Sequence, residues 1–250
     1  MTADIVLIRG IFRNQAHWLD WPERLAARFP SSQVICVDLP GNGRLNHLAS
    51  PLNSYSACQS FRIQVRLQQP EPRPLHLVAI SMGAMLALDW QRRYPHEIAS
   101  LTLMNTSVAN LSSPHQRLNW TIWWRLLPLL WSGTEASERR ILALTSNAQS
   151  ARERALAGFI DAKRRYPLTG MNMLRQVVLA SKLRALHTPH CPCLLVSSEQ
   201  DRLVSARCSE VLAKFLGASV CRHPWAGHDL PLDAPTWLEQ RLEIWLAEVT

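Results

Sequence analysis

The chain has 250 residues, of which 47% are hydrophobic, and its 27 Lys and Arg residues against 19 Asp and Glu residues give a net charge of +8. This length accommodates one α/β domain with an insertion, and the hydrophobic fraction suffices for a sizeable core. No apolar run reaches the roughly 18 residues of a transmembrane helix, so the sequence predicts no helix that spans a membrane.

Apolar runs and helical patterns alternate along the chain, and each run is short enough to be a buried strand. The predicted strands are Ile5–Arg9, Gln33–Asp38, Leu75–Ile80, Ile98–Asn105, Cys193–Glu199 and Ala218–Arg222. The predicted helices are Trp18–Phe29, Ser54–Gln68, Met82–Tyr94, Ala206–Leu216 and Thr236–Glu248. This alternation predicts an α/β fold with a mostly parallel sheet of about six strands and helices on both faces.

A long segment separates the fourth predicted strand from the fifth, and it contains helical patterns without a convincing strand. Because so long a loop must fold, we predict a helical cap at residues 108–189, inserted into a core formed by residues 1–107 and 190–250. Residues 108–190 hold twelve Lys and Arg against four Asp and Glu, so the rest of the chain is neutral. The basic excess could steer anionic substrates or an acidic carrier protein, or it could be an ordinary solvated surface.

The six cysteines are scattered, and several lie in strand-like runs, where a free cysteine behaves as a small hydrophobic residue. The pair Cys191 and Cys193 lacks a matching second pair, so we expect no metal site. The N-terminal residues lead directly into a strand without the pattern of a signal peptide. We therefore expect a cytoplasmic protein.

Ser81 is the most informative residue, because it stands where an apolar strand meets a helical pattern. Small residues flank it two positions away on each side, Ala79 before and Gly83 after. A sharp strand–turn–helix connection needs small neighbours and exposes the serine hydroxyl near helix N–H groups. A serine in this position can be a nucleophile, although a serine before a helix is also a common N-cap.

A nucleophilic serine needs a base and an acid that orients the base. His228 lies beside Gly227 on a predicted loop after the last strand, a setting that the other histidines lack. Asp201 lies just beyond the fifth predicted strand, and Glu199 is the alternative acid two residues earlier. The order Ser81, Asp201, His228 predicts a catalytic triad.

Five segments in this order give the chain a resemblance to the α/β-hydrolases over nearly its whole length: Val6–Phe12, Asp38–Gly43, Ala79–Gly83, Asp201 after its strand, and Gly227–His228. The resemblance implies hydrolysis through an acyl-enzyme on Ser81. It also implies an oxyanion hole formed by the backbone N–H groups of Met82 and of Ile11, with Phe12 as the alternative to Ile11.

Two residues depart from the family pattern. Ala79 replaces the usual glycine and is still small, whereas Arg9-Gly10 replaces the usual His-Gly. Arg9 is a fixed cation near the oxyanion loop, a member of an ordinary salt bridge, or a solvated side chain. We predict that Arg9 and Phe12 contact substrate.

The segment from Trp120 to Trp131 is rich in Trp and Leu. It either packs the cap or forms an apolar wall for an acyl chain, with Trp123, Trp124 and Leu127 as substrate contacts. Contact with a membrane interface is a third alternative that we do not expect.

The predicted function is therefore a serine hydrolase that cleaves a carboxylic ester or thioester, and its substrate could be anionic or carrier-linked. The alternatives are a lyase or C–C bond hydrolase with the same triad, and a binding protein on a hydrolase scaffold. The resemblance implies no cofactor, and we expect no nucleic-acid partner.

Overall fold

The computed structural model describes residues 3–122 and 133–249. Its centre is a six-stranded sheet in the order β2-β1-β3-β4-β5-β6, with parallel pairing between all neighbours. The strands are β1 (Asp4–Ile8), β2 (Val34–Val37), β3 (Leu75–Ile80), β4 (Ile98–Met104), β5 (Cys193–Ser198) and β6 (Ser219–His223). The predicted six-stranded parallel sheet is confirmed, and no strand end is shifted by more than one residue.

The described α-helices lie between these strands and after the last of them. They are α1 (Trp21–Arg28), α2 (Ser54–Gln68), α3 (Met82–Arg93), α4 (Pro114–Arg117), α5 (Thr134–Thr145), α6 (Gln149–Arg165), α7 (Gly170–Lys182), α8 (Ala206–Leu216), α9 (Leu230–Asp233) and α10 (Pro235–Val249). The predicted helix Trp18–Phe29 begins later than expected. A 3₁₀ turn at Gln15–Trp18 ends at Leu19, whose φ of 54° breaks the helical path before α1.

The side chains of β1 alternate between the two faces of the sheet, as the pleat of a strand requires. Val6 and Ile8 belong to the core beneath α2, α3 and α8, whereas Ile5 and Leu7 pack on the opposite side with α1 and α10. All four side chains are buried. Burial on both faces explains why the strand reads as a continuous apolar run rather than an alternating one.

The segment between β4 and β5, residues 105–192, is called the insertion here. In the part of the insertion that the structure describes, the secondary structure is helical: helices α4 to α7 and one short 3₁₀ turn. Leu142, Ala155 and Phe159 form a small apolar cluster within it. Since this cluster is small, we expect contacts with the core to contribute much of the insertion's stability.

Within the described residues, the helices are all too short or too polar to cross a lipid bilayer.

Candidate active site

Ser81 occupies a strained turn between β3 and α3, with φ of 57° and ψ of −124°. Its N–H donates to the carbonyl of Met104 at 2.9 Å, and its carbonyl accepts from Thr106 Oγ1 at 2.8 Å. A non-glycine residue in this region of φ and ψ is uncommon and needs such support. The hydrogen bonds therefore hold the serine at the carboxyl end of the sheet.

Two glycines allow the backbone to approach this turn closely. A Cβ atom on Gly83 would lie 2.5 Å from the carbonyl oxygen of Arg9, and one on Gly10 would lie 3.0 Å from Ser81 Cβ. The close packing of α3 against the end of β1 thus explains why a small residue is needed two positions after the serine.

His228 is paired with the acid that the sequence favours. Its Nδ1 lies 2.7 Å from Asp201 Oδ2, while Asp201 Oδ1 accepts the N–H groups of Leu203 and Val204 at 2.8 and 3.0 Å. Glu199, the alternative acid, is exposed. The structure therefore brings Asp201 to His228, with the carboxylate fixed by its own turn.

The environment of His228 acts on its pKa in opposite directions. Burial alone would lower the pKa, but the charge of Asp201 and its hydrogen bond to the ring outweigh burial and raise the pKa above the usual value. An imidazole held in this way can accept a proton from a nearby hydroxyl, because its charged form is stabilised.

Backbone N–H groups near Ser81 suit the binding of an oxyanion. Met82 is the first residue of α3, so its N–H has no acceptor within the helix. In the loop after β1, the N–H of Phe12 donates to Gln176 Oε1 at 2.9 Å. Because Phe12 is occupied in this way, Ile11 is the better placed of the two predicted loop donors.

Consecutive residues after β4 connect the serine to the histidine. Thr106 bonds the carbonyl of Ser81, and Asn105 Nδ2 donates to the carbonyl of His228 at 2.8 Å. The Asn105 amide also exchanges hydrogen bonds with the N–H and hydroxyl of Ser198, at the end of β5. Sequence reasoning missed both residues, although a polar pair directly after a buried strand was a readable signal.

Arg9 forms a buried ion pair with Asp229, the residue after His228. The guanidinium donates to both carboxylate oxygens at 3.0 and 2.7 Å, and it lies 4.6 Å from the ring centroid of Trp18. Burial would raise the pKa of Asp229, but Arg9 outweighs it and holds the pKa below its usual value. Arg9 thus forms the salt bridge that was one of its predicted roles, and a contact with substrate stays a prediction.

Asp233 attaches the insertion to the loop that carries His228. One carboxylate oxygen accepts the N–H groups of Gly227 and Asn147 at 2.6 and 2.8 Å, and the other accepts from Ser146 Oγ and from the Ala148 N–H. Three of its four donors lie in a distant part of the chain, so no local pattern could indicate this role.

The predicted apolar contacts Trp123, Trp124 and Leu127 lie outside the described residues. Phe12 is half-buried with φ of 64°, next to the predicted oxyanion donor. A cleft of about 200 Å³ lies near the other end of α3, between Asp89, Arg92 and Arg184. Neither Ser81 nor His228 lines this cleft.

Across residues 3–122 and 133–249, His, Cys, Asp and Glu side chains do not gather in a group of three that could hold a metal ion.

Residues 5–241 match the family model described as "Alpha/beta hydrolase family". The pimeloyl-[acyl-carrier protein] methyl ester esterase of Methylococcus capsulatus is 29% identical over 85% of this chain and 82% of its own length. The enzyme of the same name from Chromobacterium violaceum is 29% identical over 90% and 87%.

A solved thermophilic esterase from Thermogutta terrifontis superimposes with a TM-score of 0.73 at 20% identity, covering 100% of this chain and 91% of that one. At this identity the likeness shows the fold alone.

Proposed function

Because the chain belongs to the alpha/beta hydrolase family and is a hydrolytic enzyme, we propose that it cleaves carboxylic esters or thioesters through an acyl-enzyme on Ser81. The observation that carries this proposal is the 2.7 Å contact between His228 Nδ1 and Asp201 Oδ2, together with a strained turn that holds Ser81 between β3 and α3. The relatives named as methyl ester esterases favour ester substrates.

Each residue has a defined part in the reaction. Ser81 Oγ attacks the substrate carbonyl carbon while His228 Nε2 takes the hydroxyl proton, and Asp201 stabilises the resulting imidazolium. The N–H groups of Met82 and Ile11 bind the negative oxygen of the tetrahedral intermediate. His228 then gives the proton to the departing alcohol or thiol, leaving an acyl group on Ser81.

Water completes the cycle through the same groups. His228 takes a proton from water as the water oxygen attacks the acyl carbon, and it returns that proton to Ser81 Oγ as the acid leaves. These steps use no group beyond the chain and water.

The insertion supplies the cap of the site in this proposal, with residues 108–189 as the cap and residues 1–107 and 190–250 as the core. Two contacts support this division: Gln176 of α7 accepts the Phe12 N–H, and the turn after α5 binds Asp233 near His228. The basic excess of the cap favours anionic esters, including those linked to an acidic carrier. The six cysteines are free, which fits the reducing cytoplasm.

A fluorophosphonate probe, followed by intact mass measurement, tests the proposal. Wild-type protein should gain one phosphonyl group, and Ser81→Ala and His228→Ala should gain none at the same probe concentration. Hydrolysis of p-nitrophenyl acetate and butyrate should fall in both variants by about 10⁴-fold or more, and the double variant should be little worse.

Two outcomes oppose the proposal. A wild-type protein that neither reacts with the probe nor hydrolyses any ester would be a binding protein on a hydrolase scaffold. Labelling of Ser81 without ester hydrolysis would instead favour the lyase or C–C hydrolase with the same triad.

A further inference from the structure

Helix α7 buries two polar side chains and exposes four apolar ones. Asn172 and Gln176 are buried together with Leu179. On the other side, Met171, Met173, Leu174 and Val177 are 65, 37, 57 and 42% exposed, and these four residues are called the α7 apolar face. A helix on a globular protein usually shows the reverse arrangement, so an apolar face of this kind points to an interaction surface.

Hydrogen bonds fix α7 in this orientation. Asn172 accepts the N–H of Ser50 at 2.8 Å and donates to the carbonyl of Leu48 at 3.0 Å. Gln176 donates to Asn42 Oδ1 at 2.7 Å and to Ser50 Oγ at 3.0 Å. Rotating the helix to bury its apolar face would break these bonds and leave buried polar groups unpaired. The hydrogen bonds therefore keep the α7 apolar face exposed.

The stretch of chain that contains α7 carries charge of one sign. Residues 162–198 contain six Lys and Arg and no Asp or Glu. Arg164 precedes the helix, Lys182 ends it and Arg184 follows it, and all three are exposed. Within the described part of the chain, no carboxylate lies within ion-pair distance of these three side chains. An exposed apolar stripe with cations at both ends complements an anionic surface that has an apolar interior.

We infer that the α7 apolar face docks on a membrane surface containing anionic phospholipid, with Met171 and Leu174 entering the acyl boundary and Lys182 and Arg184 meeting the phosphates. Helices that lie in the membrane interface combine these two features. A stable protein interface uses roughly 20–30 residues on each side, far more than the four side chains of this face.

The α7 apolar face and the predicted oxyanion loop lie on opposite sides of helix α7. Gln176, on the buried side of the same helix, accepts the N–H of Phe12 at 2.9 Å, and Phe12 follows the predicted donor Ile11. A lipid surface bound at α7 would therefore lie one helix diameter from the loop that binds the oxyanion, roughly 10 Å.

Vesicle flotation tests the inference with purified full-length protein. Wild type should float with vesicles that mix phosphatidylglycerol with phosphatidylcholine, and much less with pure phosphatidylcholine. The variant Met171→Gln/Leu174→Gln/Val177→Gln should lose binding at least tenfold. Leu67→Gln is the matched control, since Leu67 is 82% exposed on α2, and it should bind like wild type.

A second arm tests the cations and separates this inference from the proposed function. Lys182→Gln/Arg184→Gln should weaken binding to the anionic vesicles, while Ser81→Ala should bind unchanged because docking needs no catalysis. The single variant Met171→Gln, at the most exposed position, reports on the face should the triple variant fail to fold.

The inference is overturned if wild type does not float with anionic vesicles, or if the α7 variants float as well as Leu67→Gln. Light scattering from a wild-type dimer that the triple variant abolishes would assign the face to a second copy of the chain. Binding to a purified acidic carrier protein that is lost only in the triple variant would assign the face to that protein instead.

Discussion

The guanidinium of Arg9 binds both carboxylate oxygens of Asp229, at 3.0 and 2.7 Å, with each side chain only 4% exposed. Arg9 directly precedes Gly10, which packs on Ser81, and Asp229 directly follows His228. The pair therefore joins the loop beside the serine to the loop that carries the histidine. The residue that replaces the family's usual histidine thus connects the two halves of the site.

Removing both partners of this pair should cost less than the sum of the losses from removing each one alone. Arg9→Met and Asp229→Leu should each lower the free energy of unfolding by about 3–5 kcal/mol, because each leaves an uncompensated buried charge. The double variant should cost clearly less than the sum of the two. Urea denaturation at pH 7 measures all three values, and additive losses would contradict a direct coupling.

The same pair predicts a dependence of stability on pH. Since the pKa of Asp229 is lowered in the folded protein, its contribution is complete above the ordinary pKa of about 4 and is lost as pH falls through the lowered value. Wild type should therefore lose more stability than Arg9→Met/Asp229→Leu as pH falls below 4. Parallel losses in urea titrations of the two proteins would count against this assignment.

The pKa of His228 should be visible in the kinetics. A base acts when neutral, so kcat/KM for a neutral ester should rise with pH around a midpoint above the ordinary value of 6.5. Asp201→Asn should lower the rate by about 10⁴-fold and move the remaining midpoint to lower pH. Profiles from pH 5 to 9 test both effects, and Glu199→Gln, at the exposed alternative acid, is the control. A dead Glu199→Gln with an active Asp201→Asn would reverse the assignment of the acid.

Asp233 should act as a positioning residue for His228. Asp233→Ala removes the acceptor for the Gly227 N–H, and a displaced imidazole should lower kcat roughly 100-fold with a small change in KM. Asp161→Ala, at an exposed carboxylate on α6, is the control and should match wild type. Unchanged kcat in a destabilised Asp233→Ala protein would limit the residue to a structural role.

Gln176 should control the shape of the oxyanion loop. Gln176→Met removes the acceptor of the Phe12 N–H, and kcat should fall roughly 10- to 100-fold, less than the ~10²–10³-fold loss of an oxyanion donor. Gln176→Glu keeps an acceptor oxygen for Phe12 and should retain more activity than Gln176→Met at matched thermal stability. Equal losses in the two variants would show that the bond to Phe12 is not the cause.

The basic insertion predicts a response to salt that depends on substrate charge. Because the screening length falls from about 10 Å at 0.1 M to about 3 Å at 1 M, kcat/KM for an anionic ester should drop as salt rises. A neutral ester of the same chain length should change little. Arg152→Glu/Arg154→Glu should reproduce the high-salt loss at low salt for the anionic ester alone. Equal salt dependence for both esters would leave the charge as a solvated surface.

The sequence by itself determined the parallel sheet and the places of Ser81 and His228, because the signals for these features are local. Continuous apolar runs mark strands that are buried on both faces, and small residues around a serine mark a sharp turn. Asp201 could be favoured over Glu199 from its spacing beyond β5. The predicted start of the first helix at Trp18 was wrong, because a left-handed Leu19 interrupts the path and leucine gives no signal for that conformation.

Only the tertiary structure decided the partners that hold the site together. Arg9 and Asp229 are 220 residues apart, Asn105 and His228 are 123 apart, and Phe12 and Gln176 are 164 apart. Hydrogen bonds and ion pairs at such separations leave no periodic pattern in the chain, since each depends on how distant loops meet at the sheet edge. The exposure of the α7 apolar face was also decided by the tertiary structure. The sequence pattern predicts an amphipathic helix, but the buried hydrogen bonds of Asn172 and Gln176 decide which face is exposed.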